Sequence, residues 1–246
     1  FVTNNFRGFS LNFSASNYKN FLSAEPETAV VLRAAPSARL SSVEQAPWKR
    51  WPIYFGFHTS AEALYRSEPG LTTPSAVQRF EVAPRVTIPL RWGPWLGVMP
   101  TFTVRSTQYG AHLSGGTVVS QSLRRTTGEL TVDVRLPSLA RVWQNGDTKW
   151  KHAVEPLFVY RYVRGVNAFG RFLRFDEIDT LTDTNEIEYG VTQRFFRRKP
   201  GGGADEVVSW RVAQKHYFDP TFNGAIAPGR RNVFQALNSI TPYAFA

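Results

Sequence analysis

Cysteine is absent from the 246 residues of this sequence. A disulfide and a thiolate metal site are therefore excluded within the chain. Long apolar runs are absent too: no stretch of about 18 apolar residues occurs, so no transmembrane helix is expected. The opening residues, FVTNNFRGFS, lack the charged start and apolar core of a signal peptide and do not begin with Met. We expect the chain to be a piece of a longer protein.

Acidic charge is scarce relative to basic charge. The chain has 19 Asp and Glu against 29 Lys and Arg, so its formal net charge is +10 and its pI is about 10.1. This balance favours an anionic partner such as nucleic acid, anionic lipid or a phosphorylated glycan, although an ordinary basic surface has the same signature. Aromatic residues make up 14% of the chain, which excludes a disordered composition.

Helical periodicity is nearly absent, and apolar and polar residues alternate with period two instead. The alternation predicts antiparallel strands in a single domain over residues 1–246, with no linker between parts of the chain. The expected strands are 7–21, 28–43, 51–66, 77–92, 96–109, 118–136, 150–163, 185–196, 207–217 and 232–246.

The strand predicted at 77–92 shows the alternation most clearly, with Phe80 and Val82 on one face and Arg79 and Glu81 on the other. A soluble sandwich buries such an apolar face, whereas a transmembrane barrel turns it to lipid and turns the polar face to a lumen. Many predicted strands span 12 residues or more. Because a membrane crossing needs about 9–11 residues and globular strands peak near 5–6, their length favours the barrel.

Tryptophan is unevenly distributed over the predicted connections. If consecutive strands run up and down, all seven Trp lie near connections at one end: Trp48, Trp51, Trp92, Trp95, Trp143, Trp150 and Trp210. The other end has Tyr18, Phe21, Tyr65, Tyr109, Tyr162, Phe169, Phe172, Tyr217 and Phe218. Two aromatic belts are typical of the two membrane interfaces. Because outer-membrane barrels have short periplasmic turns, we predict that the Trp belt is periplasmic and that loop 164–184 lies outside the cell.

The stretch RWGPWLG, residues 91–97, allows a prediction of register. A two-residue turn at Gly-Pro would turn Leu96 and Val98 away from the apolar face that carries Ile88, because a shift of one residue reverses every side chain. An odd loop length keeps the apolar residues together. The sequence therefore predicts a three-residue turn at 93–95, with Trp92 opposite Leu96.

Charged residues alternate with the apolar ones and define a predicted lumen-facing wall. Its members are Arg79, Glu81, Arg85, Arg91, Arg105, Glu129, Asp133, Arg135, Glu155, Arg161, Glu188, Arg194, Arg211 and Lys215. Cross-strand ion pairs between them would stiffen the wall by roughly 0.2–1 kcal/mol each. The functional alternative is a wet, net-positive conduit that accepts phosphorylated sugar.

From Trp150 onward, short motifs resemble the barrel of the LPS-assembly protein LptD family. The first is a His-x-x-Glu-Pro strand followed by Tyr-x-Tyr: His152, Glu155, Pro156, Tyr160 and Tyr162. A Phe-Asp-x-x-Asp loop and an Asn-x-x-x-Tyr-Gly strand start follow: Phe175, Asp176, Asp179, Asn185, Tyr189 and Gly190. The resemblance is most specific over residues 150–235.

The resemblance implies a large outer-membrane barrel, of which this chain would be an internal portion of about ten strands without the periplasmic jellyroll domain. It implies that lipopolysaccharide passes from a periplasmic bridge through the lumen to the outer leaflet, without catalysis and without a cofactor. An LptE-like lipoprotein plug, periplasmic LPS-bridge proteins and outer-membrane lipid are the implied partners. The alternative function is a generic outer-membrane porin or channel.

Several other chemistries are weaker alternatives. The four histidines, His58, His112, His152 and His216, lack metal-ligand spacing. The acidic loop FDEIDTLTDTNE offers carboxylates to a divalent cation, but it lacks EF-hand spacing, and a loop folded by Asx turns and salt bridges is the favoured interpretation. No Gly-x-Ser-x-Gly motif supports a hydrolase. The basic and aromatic stretch RFFRRKPGGGADE resembles a nucleic-acid binder but is expected to be a turn, so no nucleic-acid partner is predicted.

Overall fold

The computed structural model describes residues 1–21, 29–48, 50–220 and 231. The strands are β1 (Val2–Phe6), β2 (Phe9–Phe21), β3 (Ala29–Ser42), β4 (Tyr54–Glu68), β5 (Leu71–Thr72), β6 (Val77–Thr87), β7 (Leu90–Trp92), β8 (Leu96–Tyr109), β9 (His112–Ser114), β10 (Thr117–Val119), β11 (Leu123–Arg135), β12 (Leu139–Asn145), β13 (Thr148–Arg164), β14 (Thr184–Arg198) and β15 (Ala204–Tyr217). A single 3-10 turn, Phe169–Arg171, is the helical element of the described part. No helix there is long and apolar enough to cross a membrane.

Thirteen strands form one antiparallel sheet, which confirms the predicted all-β antiparallel class. The order is β1-β2-β3-β4-β6-β8-β11-β13-β14-β15, so each long strand pairs with the next long strand along the chain. Short strands extend it: β5 pairs with β4, β7 with β8 and β12 with β13, while β9 and β10 form a separate hairpin. The sheet of described strands is not closed, as expected for a barrel fragment. The strand predicted at 232–246 lies outside the described residues.

The first predicted strand, 7–21, was incomplete, because a hairpin precedes it. Strand β1 pairs with β2 from Val2↔Phe13 to Phe6↔Phe9. The two residues between them, Arg7 and Gly8, have φ values of 46° and 83°. Positive φ at both central positions is the conformation of the tight hairpin turn whose twist matches the flanking strands.

The strand predicted at 77–92 is interrupted at Ile88 and Pro89, since proline has no amide to donate to a ladder. It resumes as β7, and the turn that follows confirms the predicted register: Trp92 lies opposite Leu96, across the three residues 93–95. Gly93 has a φ of 59°, which a glycine adopts without steric cost.

Three other predicted bounds were wrong. The expected connection 137–149 contains β12, which pairs with β13 around Gly146 and sets Trp143 opposite Trp150. The strand predicted from 118 begins at Leu123, because the β9–β10 hairpin occupies the preceding residues. The strand predicted from 207 begins at Ala204, so Trp210 lies well inside β15 instead of near its start.

The chain divides into two compact units. The first comprises Phe1–Thr87, Phe102–Glu129 and Val163–Asp183, and the second comprises Ile88–Thr101, Leu130–Tyr162 and the described residues from Thr184 onward. In the first unit, a small apolar core is formed by Leu64, Val77, Ala111, Leu173 and Phe175. It joins strand residues to residues of the segment 165–183.

Strand β6 in the first unit has its charged face inside and its apolar face outside. Arg79 and Glu81 are 1% and 0% exposed, whereas Phe80 and Val82 are 52% and 37% exposed. A soluble sandwich would show the reverse. In the second unit, most residues of β15 are exposed on both faces. The burial pattern of β6 is therefore the one expected of a barrel wall and opposite to that of a sandwich.

Candidate functional site

Arg79 on β6 is the centre of a buried charge cluster in the first unit. Its guanidinium binds Glu62 of β4 and reaches two carboxylates of the segment 165–183. The Nη1 atom donates to Asp176 Oδ1 at 2.9 Å and to Asp179 at 2.9 and 3.0 Å. The side chains of Arg79, Glu62 and Asp179 are fully buried. Breaking such a cluster would leave charge buried without a partner, which is strongly unfavourable.

Asp176 and Asp179, three residues apart, stabilise a turn through hydrogen bonds within the segment itself. The Asp179 amide donates to the Asp176 carbonyl at 3.2 Å, and the Ile178 amide donates to Asp176 Oδ1 at 3.0 Å. Asp179 Oδ2 also accepts from the Phe175 amide at 2.8 Å. The bond from Ile178 to Asp176 Oδ1 is an Asx turn, as the favoured interpretation of the sequence predicted. Both carboxylates are thereby held towards Arg79.

Tyr109 on β8 completes the surroundings of Asp179. Its hydroxyl donates to Asp179 Oδ1 at 2.6 Å, and its ring lies 5.3 Å from that of Phe172. Burial raises the pKa of the Asp179 carboxyl, and Arg79 together with the Tyr109 hydroxyl opposes that shift. Asp179 therefore depends on these two donors to keep its charge.

Two further arginines form contacts between the strands and the segment 165–183. Arg125 on β11 donates to the Ile178 carbonyl at 2.7 Å, and its guanidinium lies 5.1 Å from the ring of Phe172. Arg66 on β4 donates to the Arg174 carbonyl. Strands β4, β6, β8 and β11 thus each contribute one side chain to the same segment. We call residues 165–183 the docked loop.

A second network of salt bridges links β6, β8 and β11. Arg105 of β8 contacts Glu81 of β6 at 2.6 Å and Glu129 of β11 at 2.8 Å. The Thr107 hydroxyl also donates to Glu81, at 3.2 Å. Arg85 pairs with Glu44 at 3.1 Å. Of the charged residues predicted for the wall in this unit, Arg105, Glu81 and Glu129 thus pair with one another across neighbouring strands, whereas Arg79 and Arg85 have carboxylate partners outside the predicted set.

In the second unit the ion pairs are more exposed. Arg194 lies 3.4 Å from Glu155 and 3.5 Å from Glu206. Lys215 binds Glu186 at 3.1 Å, and Arg211 binds Glu188. Among the described residues, no carboxylate is recorded within 4 Å of the remaining predicted wall cations: Arg91, Arg135 and Arg161. Asp133 is half-buried on β11.

The docked loop was only partly anticipated. The sequence placed Arg79 on a wet wall and Asp176 and Asp179 in a separate outer loop, whereas the structure brings all three together. Glu62, Tyr109 and Arg125 were missed as partners. Tyr109 had been assigned to an aromatic belt, although its even spacing from Arg105 on β8 places it on the charged face.

The family-motif residues of the second unit lie within its strands, where several of them contact residues of a neighbouring strand. His152 Nε2 lies 3.0 Å from Gln193 Oε1, and its ring stacks on Phe195 at 4.2 Å. Asn185 Oδ1 accepts from the Tyr160 hydroxyl at 3.0 Å. Pro156 lies within β13. Gly190 faces Ala213 so closely that a Cβ atom there would lie 2.4 Å from the Val212 carbonyl oxygen.

The other histidines lie apart from one another along the elements. His112 contacts the Gln121 carbonyl at 2.9 Å and Arg171 at 2.7 Å, while His216 packs edge-on against Phe218. His58 lies half-buried on β4. In the described part of the chain, no group of three or more His, Asp or Glu has the arrangement of a metal site.

The tryptophans are mostly exposed near turns. Trp48 packs edge-on against Phe55 at 5.6 Å between β3 and β4. Trp143 and Trp150 stack at 6.5 Å beside the turn at Gly146. The exposed members also include Trp51, Trp92, Trp95 and Trp210. Large exposed aromatic side chains suit a membrane interface, where one part of the ring system is apolar and another is hydrated.

Comparison with known proteins gives a consistent result. A model of the family described as "LptD: LPS transport system D" matches residues 2–233. The "LPS-assembly protein LptD" of Shewanella sp. (strain ANA-3) is 26% identical over 161 residues, which cover 58% of this chain and 20% of that protein. The proteins of the same name from strains MR-4 and MR-7 are each 24% identical over 161 residues. The chain spans about a fifth of the length of these relatives.

Proposed function

The chain belongs to the LptD family, and from this premise we propose that it forms part of the wall of an outer-membrane β-barrel that passes lipopolysaccharide to the outer leaflet. The relatives that it matches bear the name LPS-assembly protein. The function is transport and insertion, and it requires no catalytic group.

The observation that carries the proposal is the burial pattern of β6. A wall strand needs an apolar face for lipid and a polar face for the transported headgroup. Phe80 and Val82 offer the first. Arg79 and Glu81 lie on the second, where they are buried and position the docked loop and Arg105, and the exposed charges of that face are left to the cargo. Ion pairs such as Arg105 with Glu81 and Glu129 stiffen the polar face. A net charge of +10 suits a cargo that bears phosphate.

The same reasoning orients the chain and suggests its partners. The Trp-bearing turns face the periplasm, and the docked loop faces the outside of the cell. Periplasmic LPS-bridge proteins would deliver cargo to the Trp-bearing end. An LptE-like lipoprotein would occupy the lumen that the charged face lines. The docked loop would then lie against the inner side of the wall, where it narrows the path near Arg79.

Depletion of the full-length protein tests this function. We expect lipopolysaccharide to disappear from the cell surface, as measured by whole-cell labelling of its glycan, while other outer-membrane proteins remain assembled. A generic porin is the alternative, since the same strand pattern fits it. Its depletion would slow uptake of small solutes and leave surface lipopolysaccharide unchanged, and that result would contradict the proposal.

A further inference from the structure

A basic cavity lies in the second unit at the turn end of β12, β13, β14 and β15. Its volume is about 410 Å³. Basic and aromatic side chains dominate its lining, which consists of Val142, Lys149, Trp150, Lys151, Phe196, Arg197, Arg198 and Ala204. A volume of several hundred cubic ångströms is in the range of small-molecule sites. We call this group the basic pocket.

The basic pocket opens on the charged face of the strands. Lys149 and Lys151 alternate along β13 with Glu155, so they share its face. Arg198 alternates along β14 with Arg194 in the same way. Because Arg194 lies 3.4 Å from Glu155, the two sets face the same side. The bulge between Phe195 and Phe196 leaves this alternation intact, since the extra residue belongs to β15.

The cations of the basic pocket lack the carboxylate partners that the neighbouring wall cations have. No Asp or Glu is recorded within 4 Å of Lys149, Lys151, Arg197 or Arg198 in the described part of the chain, whereas Arg194 has both Glu155 and Glu206. The Nε atom of Arg198 donates to the Gly202 carbonyl at 3.3 Å.

Apolar side chains complete the basic pocket. Lys151 Nζ lies 5.6 Å from the ring of Phe196, and Val142 lies opposite Lys151 on β12. Ammonium and guanidinium groups without a carboxylate partner are suited to phosphate oxygens, which accept several charged hydrogen bonds at once. Phe196 and Val142 offer an apolar surface beside that anion. A ligand with a phosphate attached to a less polar body therefore matches the lining better than a free inorganic ion does.

We propose that the basic pocket binds the phosphate monoester of a phosphorylated glycolipid headgroup. Lys149, Lys151 and Arg198 contact the phosphate oxygens, and Phe196 and Val142 contact the adjoining body of the ligand. The proposal rests on the proposed transport function, because that function supplies such a headgroup at the Trp-bearing end. It adds a binding position where the cargo is held by charge before it meets the ion-paired part of the wall.

The test measures binding of lipopolysaccharide to the purified full-length protein and to the triple variant K149Q/K151Q/R198Q. We expect the variant to bind between about tenfold and about a thousandfold more weakly, since each of the three lost charged contacts contributes up to about a factor of ten. Binding of lipopolysaccharide whose phosphates have been removed enzymatically should be weak and equal for both proteins. The charge-keeping variant K149R/K151R/R198K should restore affinity.

A matched control removes two cations outside the basic pocket and the predicted wall. Arg124 lies at an odd spacing from Glu129 on β11, and Arg141 lies opposite His152 on the face away from Lys151, so R124Q/R141Q should change affinity less than twofold. Equal weakening by this control would overturn the proposal. So would tighter binding of phosphatidylglycerol micelles or of a single-stranded oligonucleotide than of lipopolysaccharide. Depletion tests transport and this titration tests the pocket, so the two can fail separately.

Discussion

The two units use the same residue types on alternating strand positions and reach different electrostatic results. In the first unit, Arg79 is enclosed with Glu62 and Asp179, and none of the three side chains is exposed. In the second unit, the Arg211 side chain is 54% exposed beside Glu188, and Arg194 and Glu155 are each 42% exposed. The docked loop makes the difference, since it covers Arg79 with its own carboxylates.

Alternation of charged residues along a strand therefore does not determine how much an ion pair contributes to the free energy of unfolding. An exposed pair contributes about 0–1 kcal/mol, because water screens it and ordering two long side chains costs entropy. Removing one member of a buried pair costs about 3–5 kcal/mol, because the remaining charge stays in a poorly solvated place. The first unit therefore contains ion pairs that the docked loop shields from water, whereas the ion pairs of the second unit remain exposed to water.

The largest effect is expected from Arg79→Gln. The change leaves Glu62 and Asp179 buried without their main cation, so the free energy of unfolding should fall by about 3–5 kcal/mol. Urea titration of the full-length protein in lipid vesicles measures it. Trypsin should also cleave faster after Arg171 and Arg174 as the docked loop separates. A loss no larger than that of Arg211→Gln would show that the two regions do not differ.

An intermediate effect is expected from Gly190→Ala on β14. The new methyl group would lie 2.4 Å from the Val212 carbonyl oxygen and 2.7 Å from Ala213 Cα, so backbone must move. We expect a loss of about 1–3 kcal/mol, typical of overpacking, in the same urea titration. Gly203→Ala is the control, because nothing lies within 4 Å of its added Cβ. Equal stability of the two variants would contradict the close approach of β14 and β15.

The smallest effect is expected at the exposed pair of Arg211 and Glu188. A double-mutant cycle with Arg211→Gln and Glu188→Gln should give a coupling energy of about 0.2–1 kcal/mol, and salt should weaken it. A coupling as large as the loss from Arg79→Gln would mean that this pair is shielded from water in the assembled barrel. That outcome would contradict the proposed difference between buried ion pairs in the first unit and water-exposed ion pairs in the second.

The fold was accessible from the sequence where the signal is local. Alternation in Arg79, Phe80, Glu81 and Val82 identified a strand with one charged and one apolar face. The need to keep Leu96 on that apolar face predicted the three-residue turn and its pairing with Trp92, which the structure confirms. Two predicted bounds were wrong because a local signal was overlooked. Pro89 interrupts the strand predicted at 77–92, and Gly146 permits a tight hairpin within the connection predicted at 137–149.

The candidate site was accessible only in part. The acidic motif with Asp176 and Asp179 was visible, and so was the charge of Arg79, but they are separated by about 100 residues along the chain. Nothing in a linear pattern says which carboxylate a given arginine will meet at that separation. The hydroxyl of Tyr109 was hidden in the same way, because its aromatic ring suggested an interface position.

The sequence by itself determined the period of the strands, the face on which charge falls and the register at Trp92, because each depends on neighbours a few residues apart. Only the tertiary structure decided which of those charges are enclosed. Burial of a strand face depends on the residues that pack against it. Arg79 is buried by the docked loop, whose Asp179 lies 100 residues further along the chain. The cations around Phe196 illustrate the same cause, since no described segment brings a carboxylate within 4 Å of Lys149, Lys151 or Arg198.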